Sequence, residues 1–118
     1  VGYKILGKNR SALFIPDIDK WYLWGKSIIE QVKSVDYAFL DATFYSGEEI
    51  NRSMSEIPHP FISETIEIFE NEELLTKTKI HFIHFNHTNP VLNQNIYLRD
   101  SIIKLGFNFA KFGDRYEL

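Results

Sequence analysis

Four side chains able to hold a metal or move a proton stand out by position. Asp17 closes the apolar run "LFIPD", Asp41 closes "YAFLD", His84 closes "IHFIH", and His59 lies between two prolines in "PHP". A carboxylate can bind Zn²⁺, Mn²⁺ or Fe²⁺ at about 2.0–2.2 Å, or bridge two ions, and imidazole is the usual companion ligand. Taken alone, Asp17 either binds a metal or caps a helix ahead of Trp21, a task open equally to Asp19. Asp41 can orient a histidine ligand, bind metal, act as a base, or stabilise its own loop as an Asx turn. Pro58 and Pro60 restrict the backbone on both sides of His59. That rigidity suits a general acid for a leaving group or a donor to a developing oxyanion; the plain alternative is a surface-loop histidine.

His81, His84 and His87 look like a ready-made metal cluster, but strand geometry argues otherwise. Side chains alternate at period two, so His81 and His87 face one way and His84 the other. Only His84, at the strand end, is placed to reach a common edge. His81 reads as a core or surface histidine, and His87 as a loop residue or a support for the site. Trp21, Tyr22 and Trp24 read as packing residues plus one exposed aromatic. Glu48 and Glu49 read as solvated.

For these side chains to meet, the runs that end in them must be neighbouring parallel strands, because open α/β sheets bind ligands outside the carboxyl ends of their strands. Tyr3–Leu6 and Ala12–Ile15, separated by "GKNRS", predict a hairpin. Trp21, Trp24, Ile28 and Val32 recur at helical spacing and predict a helix within Ile18–Val35. Asp36–Leu40 reads as a buried strand, and Thr43–Glu56 as a long loop with one helical turn. Ile62, Ile66 and Phe69 form one helical stripe, with Ser63 as candidate cap. Lys79–Phe85 is the next strand, followed by the turn-rich "NHTNP", where Asn side chains and Pro90 can fix an irregular backbone. Leu98, Ile102 and Leu105 predict a helix stopped by Gly106. "FNFAKF" alternates as a half-buried strand and "RYEL" follows as a last one. The order β-β-α-β-α-β-α-β-β argues for α/β layering with a mixed sheet and helices on one side.

The 118 residues suffice for one compact unit, with 44 % apolar and 15 % aromatic residues excluding a disordered chain. A net charge of −3 with scattered basic residues gives no strong nucleic-acid footprint. Zero cysteines removes disulfides and thiolate sites and fits a cytoplasmic protein. No apolar run has the length of a membrane span. The chain opens at Val1 and passes at once into "YKIL", as if cut from something longer.

"ALFIPDID", "AFLDATF", "IPHPFISETIEIF", "IHFIHFNHTNP" and the closing "YEL" together resemble the C-terminal half of the metallo-β-lactamase-fold superfamily. Within it, the likeness is greatest to the pyrroloquinoline-quinone biosynthesis protein B (PqqB)-like branch. Phosphodiesterases of the ribonuclease Z and cyclic-phosphate type are similar at the same places. The resemblance implies that Asp17 is the bridging metal-ligand aspartate and His84 the last metal-ligand histidine. It implies that Asp41 is an acidic residue supporting the site and that His59 assists the leaving group. An aspartate at position 17 favours an ordinary dinuclear hydrolase over the quinone-biosynthesis branch. The superfamily's His-x-His-x-Asp-His is absent, since the four histidines are at 59, 81, 84 and 87. A full αββα sandwich takes roughly twice this length, so residues 1–118 are expected to form the C-terminal half alone.

The expected function is therefore metal-dependent hydrolysis. An ion-activated hydroxide would attack a phosphodiester, ester or lactone, or serve a step of quinone-cofactor biosynthesis. Zinc is the expected ion, with Mn or Fe as alternatives, and a dinuclear centre is expected only in the complete fold. Asp17 and His84 fall short of the three protein ligands usual at catalytic zinc, so the isolated chain is expected to be inactive. Its partners would be a small-molecule or phosphodiester substrate, and either the missing N-terminal half or a second copy. The alternative is a non-catalytic half-domain that associates through its uncovered sheet face. A signalling receiver domain is disfavoured, because Asp17/Asp19 and Asp41 lie only one βα unit apart.

Overall fold

A computed structural model describes residues 2–49, 52–92 and 96–118; Val1 and the side chains of Glu49 and Ile96 lie outside the described residues. Strands β1 (Tyr3–Leu6), β2 (Ser11–Ile15), β3 (Tyr37–Asp41), β4 (Ile80–Ile83) and β5 (Asn108–Phe109) form one sheet in the order β1-β2-β3-β4-β5. The β1–β2 pair is the antiparallel hairpin that the sequence predicts; β2, β3, β4 and β5 run parallel. The helices are α1 (Ile28–Lys33), α2 (Ile62–Phe69), α3 (Leu74–Lys77) and α4 (Ile96–Lys104).

One face of the sheet carries the core. Leu13 and Ile15, Ala38 and Leu40, and Ile80 and Phe82 alternate onto it. They pack against Trp21, Ile28 and Val32, against Ile62 and Phe69 of α2, and against Ile102 of α4. Continuous burial on both faces is what gives parallel strands their unbroken apolar runs. Among the described residues, no helix covers the opposite face, which is met instead by the C-terminal tail. Tyr116 contacts Tyr37, Phe39 and His81 there, with ring centroids 5.2, 4.9 and 5.1 Å away.

Several elements differ from expectation. The single helix within Ile18–Val35 is two pieces, a 3-10 turn at Trp21–Leu23 and α1. Gly25, at φ 74°, breaks the helical path between them, and the Ser27 hydroxyl caps α1 by accepting from the Glu30 amide at 3.3 Å. Asp17 and Asp19 therefore cap no α-helix; Asp19 accepts from the next amide, Lys20, at 2.7 Å. Ser63 is not the cap of α2. Phe61 holds that position, and the Glu64 carboxylate accepts its amide at 2.9 Å. The loop after Thr43 holds two 3-10 turns, Gly47–Glu49 and Met54–Glu56.

At the C-terminus, Leu105 lies past the end of α4 and is exposed, while "FNFAKF" pairs only through Asn108 and Phe109. "RYEL" is no strand; its Leu118 carbonyl instead accepts the amides of Asn9 and Arg10 at 2.6 and 2.8 Å, latching the tail to the hairpin turn. Helix α3 has no counterpart in the predicted order. Among the described residues, no helix is long and apolar enough to cross a membrane.

Candidate metal centre

Parallel register sets the site. Ile15 aligns with Leu40, Leu40 with Phe82, and Asp41 with Ile83. Asp17, Asp41 and His84 thus leave three adjacent strands at the same edge. His59 is brought over that edge because α2 is hooked to the loop after β3: the amides of Ile62 and Ser63 donate to the carbonyls of Phe44 and Tyr45 at 3.0 and 3.1 Å. A carboxylate oxygen of Asp17, one of Asp41 and a ring nitrogen of His59 all lie within 4.8 Å of one another. His84 is a near neighbour, its ring centroid 6.4 Å from that of His59.

Asp41 is the fixed point of the cluster and is fully buried. Its Oδ1 accepts the Thr43 amide at 2.9 Å and the Thr43 hydroxyl at 2.6 Å. Its Oδ2 accepts the Ile18 amide at 3.1 Å and His59 Nδ1 at 2.8 Å. Four donors satisfy both oxygens of this buried carboxylate, so Asp41 is built as a brace; an ion on it would displace a donor. Asp17 is different. Its side chain is 68 % exposed, with Oδ1 3.5 Å from His59 Nδ1, so it retains oxygens free for an ion.

The same bonds set the histidine tautomers. Because the Asp41 carboxylate only accepts, His59 Nδ1 carries the proton and Nε2 the lone pair. The Thr43 hydroxyl spends its proton on Asp41, so its oxygen accepts from His84 Nδ1, 3.1 Å away. That leaves His84 Nε2 with an open lone pair, the atom a metal takes.

His84 sits at φ 66°, alone among the described non-glycine residues in having a positive φ. Strain of this kind costs of order 1–3 kcal/mol and persists only where the surroundings over-determine it. They do so here. The Asn86 amide donates to the Thr43 carbonyl at 2.9 Å, and the wholly buried Asn89 donates its side-chain amide to the carbonyls of Ala42 and Thr43 at 2.9 and 3.3 Å. "NHTNP" thus fixes the irregular backbone through Asn89.

The other sequence candidates lie apart from this cluster. His81 packs on the tail-covered face, stacked on Phe39 with centroids 5.3 Å apart, and burial pushes its pKa below the usual histidine range, against a smaller upward pull from Asp114. His87 and Glu48 are exposed. Trp21 is buried and donates Nε1 to Thr65 at 2.9 Å, Trp24 packs beside it, and Tyr22 is the exposed aromatic. Sequence reasoning missed two residues. Thr43 was announced only by standing two positions after Asp41. Lys20, buried, pairs with Glu64 at 2.7 Å and lies 4.1 Å from the centre of the Phe61 ring, and no sequence signal pointed to it.

The fold is that of about half of a metallo-β-lactamase-type protein: a mixed five-stranded sheet with its helices on one side. No protein-family model matches the chain, and none of the curated proteins does. Among solved structures, it is similar to Zn²⁺-bound PqqB from Methylobacterium extorquens, with a TM-score of 0.73 at 20 % identity. The match covers 99 % of this chain and 43 % of that one, so the chain spans less than half the length of its structural neighbour.

Proposed function

We propose that this chain supplies the C-terminal part of a metal-dependent hydrolase site. In this reading Asp17 and His84 are its ligands, His59 is the group that serves the leaving group, and Asp41 is the brace of His59. The observation that carries the reading is the hydrogen-bond chain His84–Thr43–Asp41–His59, which leaves the lone pair on Nε2 of both imidazoles beside the exposed Asp17 carboxylate. An exposed carboxylate and an imidazole nitrogen suit zinc, with Mn²⁺ or Fe²⁺ as alternatives. When bound, such an ion supplies Lewis acidity, polarising a substrate oxygen and lowering the pKa of a water towards 7. His59 would hold or pass a proton at Nε2, while Asp41, gripping Nδ1, fixes the orientation of the ring. The substrate class is a phosphodiester, ester or lactone, or an intermediate of quinone-cofactor biosynthesis.

Two ligands are one short of the usual catalytic set. The rest, with any second ion, would come from a partner half or a second copy. The helix-free face supports that placement. Ile5 and Phe14 are 45 % and 37 % exposed there, and beside the tail they border a hollow of about 360 Å³. The same face supports the second reading, a non-catalytic half-domain that acts by association.

Calorimetric titration of the chain with zinc separates the two. The hydrolase reading expects one site that is weakened at least about tenfold by Asp17→Ala and by His84→Ala. Wild-type zinc affinity in both variants would sink it and leave the association reading.

A further inference from the structure

We propose that the hollow at the carboxyl ends of β4 and β5 is a subsite for an anionic group carried on a flat apolar body. The proposal deepens the hydrolase reading and rests on it for the hollow's role, since this would be the non-reacting end of the substrate.

The hollow encloses about 430 Å³, within the range of small-molecule sites. Phe85, next in sequence to His84, and Phe109, at the end of β5, form its apolar wall with ring centroids 6.0 Å apart at 40°. Because β4 and β5 are parallel and the Ala110 amide donates to the Phe82 carbonyl at 3.1 Å, this wall continues the edge that carries the metal ligands. Arg99 of α4 and Lys111 also line the hollow. Arg99 donates to the Leu92 carbonyl at 3.4 Å. Among the described residues, neither cation has a carboxylate within ion-pair distance. Asp100 also borders the hollow, so two cations stand against one carboxylate.

A planar guanidinium presents a fork that matches carboxylate or phosphate oxygens, and an ammonium adds a point charge beside it. Aromatic walls with uncompensated cations select a ring or similar flat body bearing an anion. A neutral apolar ligand would leave both cations without a charged partner, and a bare anion would leave the rings unused. The shared chemistry is an aryl phosphate or aryl carboxylate.

The test is an amide chemical-shift titration of the ¹⁵N-labelled chain, stripped of metal with chelator, against phenyl phosphate, benzoate, phenol and inorganic phosphate. Phenyl phosphate or benzoate should shift the amides of Phe85, Arg99, Phe109 and Lys111 and bind at least about tenfold tighter than phenol or inorganic phosphate; whichever binds better identifies the anion. Arg99→Gln and Lys111→Gln should each weaken that binding about five- to tenfold, as expected for charge-assisted hydrogen bonds. Lys8→Gln, a remote exposed cation, should leave it unchanged, and each variant's spectrum reports whether it is folded. Inorganic phosphate binding as tightly as phenyl phosphate, shifts confined to other residues, or indifference to both substitutions would overturn the proposal. Because the metal is removed, binding here together with absence of a zinc site would leave the hollow standing and the hydrolase reading fallen.

Discussion

At Thr43 one hydroxyl links three side chains of the candidate site, lying 2.6 Å from Asp41 Oδ1, 3.1 Å from His84 Nδ1 and 3.4 Å from His59 Nδ1. Thr43→Val keeps the shape and removes the acceptor that holds the His84 tautomer. Supporting groups of this kind typically matter about 10- to 100-fold in metal affinity. Calorimetry should show a loss of that order for Thr43→Val and near-full retention for Thr43→Ser. The sequence displayed the donors of this site but hid the hydroxyl that ties them, because a threonine after an aspartate is equally a turn residue. His81 carries a separate expectation. Burial lowers its folded pKa, so the unfolded chain binds its proton first as pH falls. The associated stability is held above the unfolded value of about 6.5 and lost as pH drops from there through the folded pKa. Denaturant melts at a series of pH values should show this loss in the wild type, and His81→Phe should remove that component.

Among the elements, strands were the most legible because parallel strands buried on their faces read as continuous apolar runs: "ALFI", "YAFL" and "IHFI" all pair as expected. The helical stripe from Trp21 to Val32 misled, because an aromatic at the right spacing packs equally well from a 3-10 turn once Gly25 breaks the helical path. "FNFAKF" misled in the opposite sense. Its alternation continues past the last ladder bond, and Phe112 ends fully exposed. Gly106 was read correctly as the stop of α4, and its φ of 112° shows why. A Cβ there would lie 2.6 Å from Leu74 Cδ1 in addition to the backbone strain. Gly106→Ala should therefore destabilise the chain by about 1–3 kcal/mol in chemical denaturation.

For the molecule as a whole, among the described residues, the sheet has helices on one face and only a nine-residue tail, positions 110–118, against the other. The tail's hold is local: Leu118 on the hairpin turn and Tyr116 among Tyr37, Phe39 and His81. Apolar side chains beside it stay uncovered, and contiguous patches of that kind mark association surfaces. Sedimentation should show concentration-dependent self-association that Phe14→Lys reduces; a strictly monomeric wild type would count against the surface. The missing His-x-His-x-Asp-His is what led to the expectation of a second layer, and the chain covers 43 % of its structural neighbour. Which molecule would cover the open face was not legible, because an apolar face accommodates many partners. The most direct test of the central claim is an anomalous difference map, recorded at the zinc edge, from crystals of the chain grown with zinc. The account predicts a peak bonded to an Asp17 carboxylate oxygen and to His84 Nε2, with Asp41 still gripping His59 Nδ1. A zinc peak held by Asp41 and His59 while His84 stays unbound, or none at this edge, would contradict it.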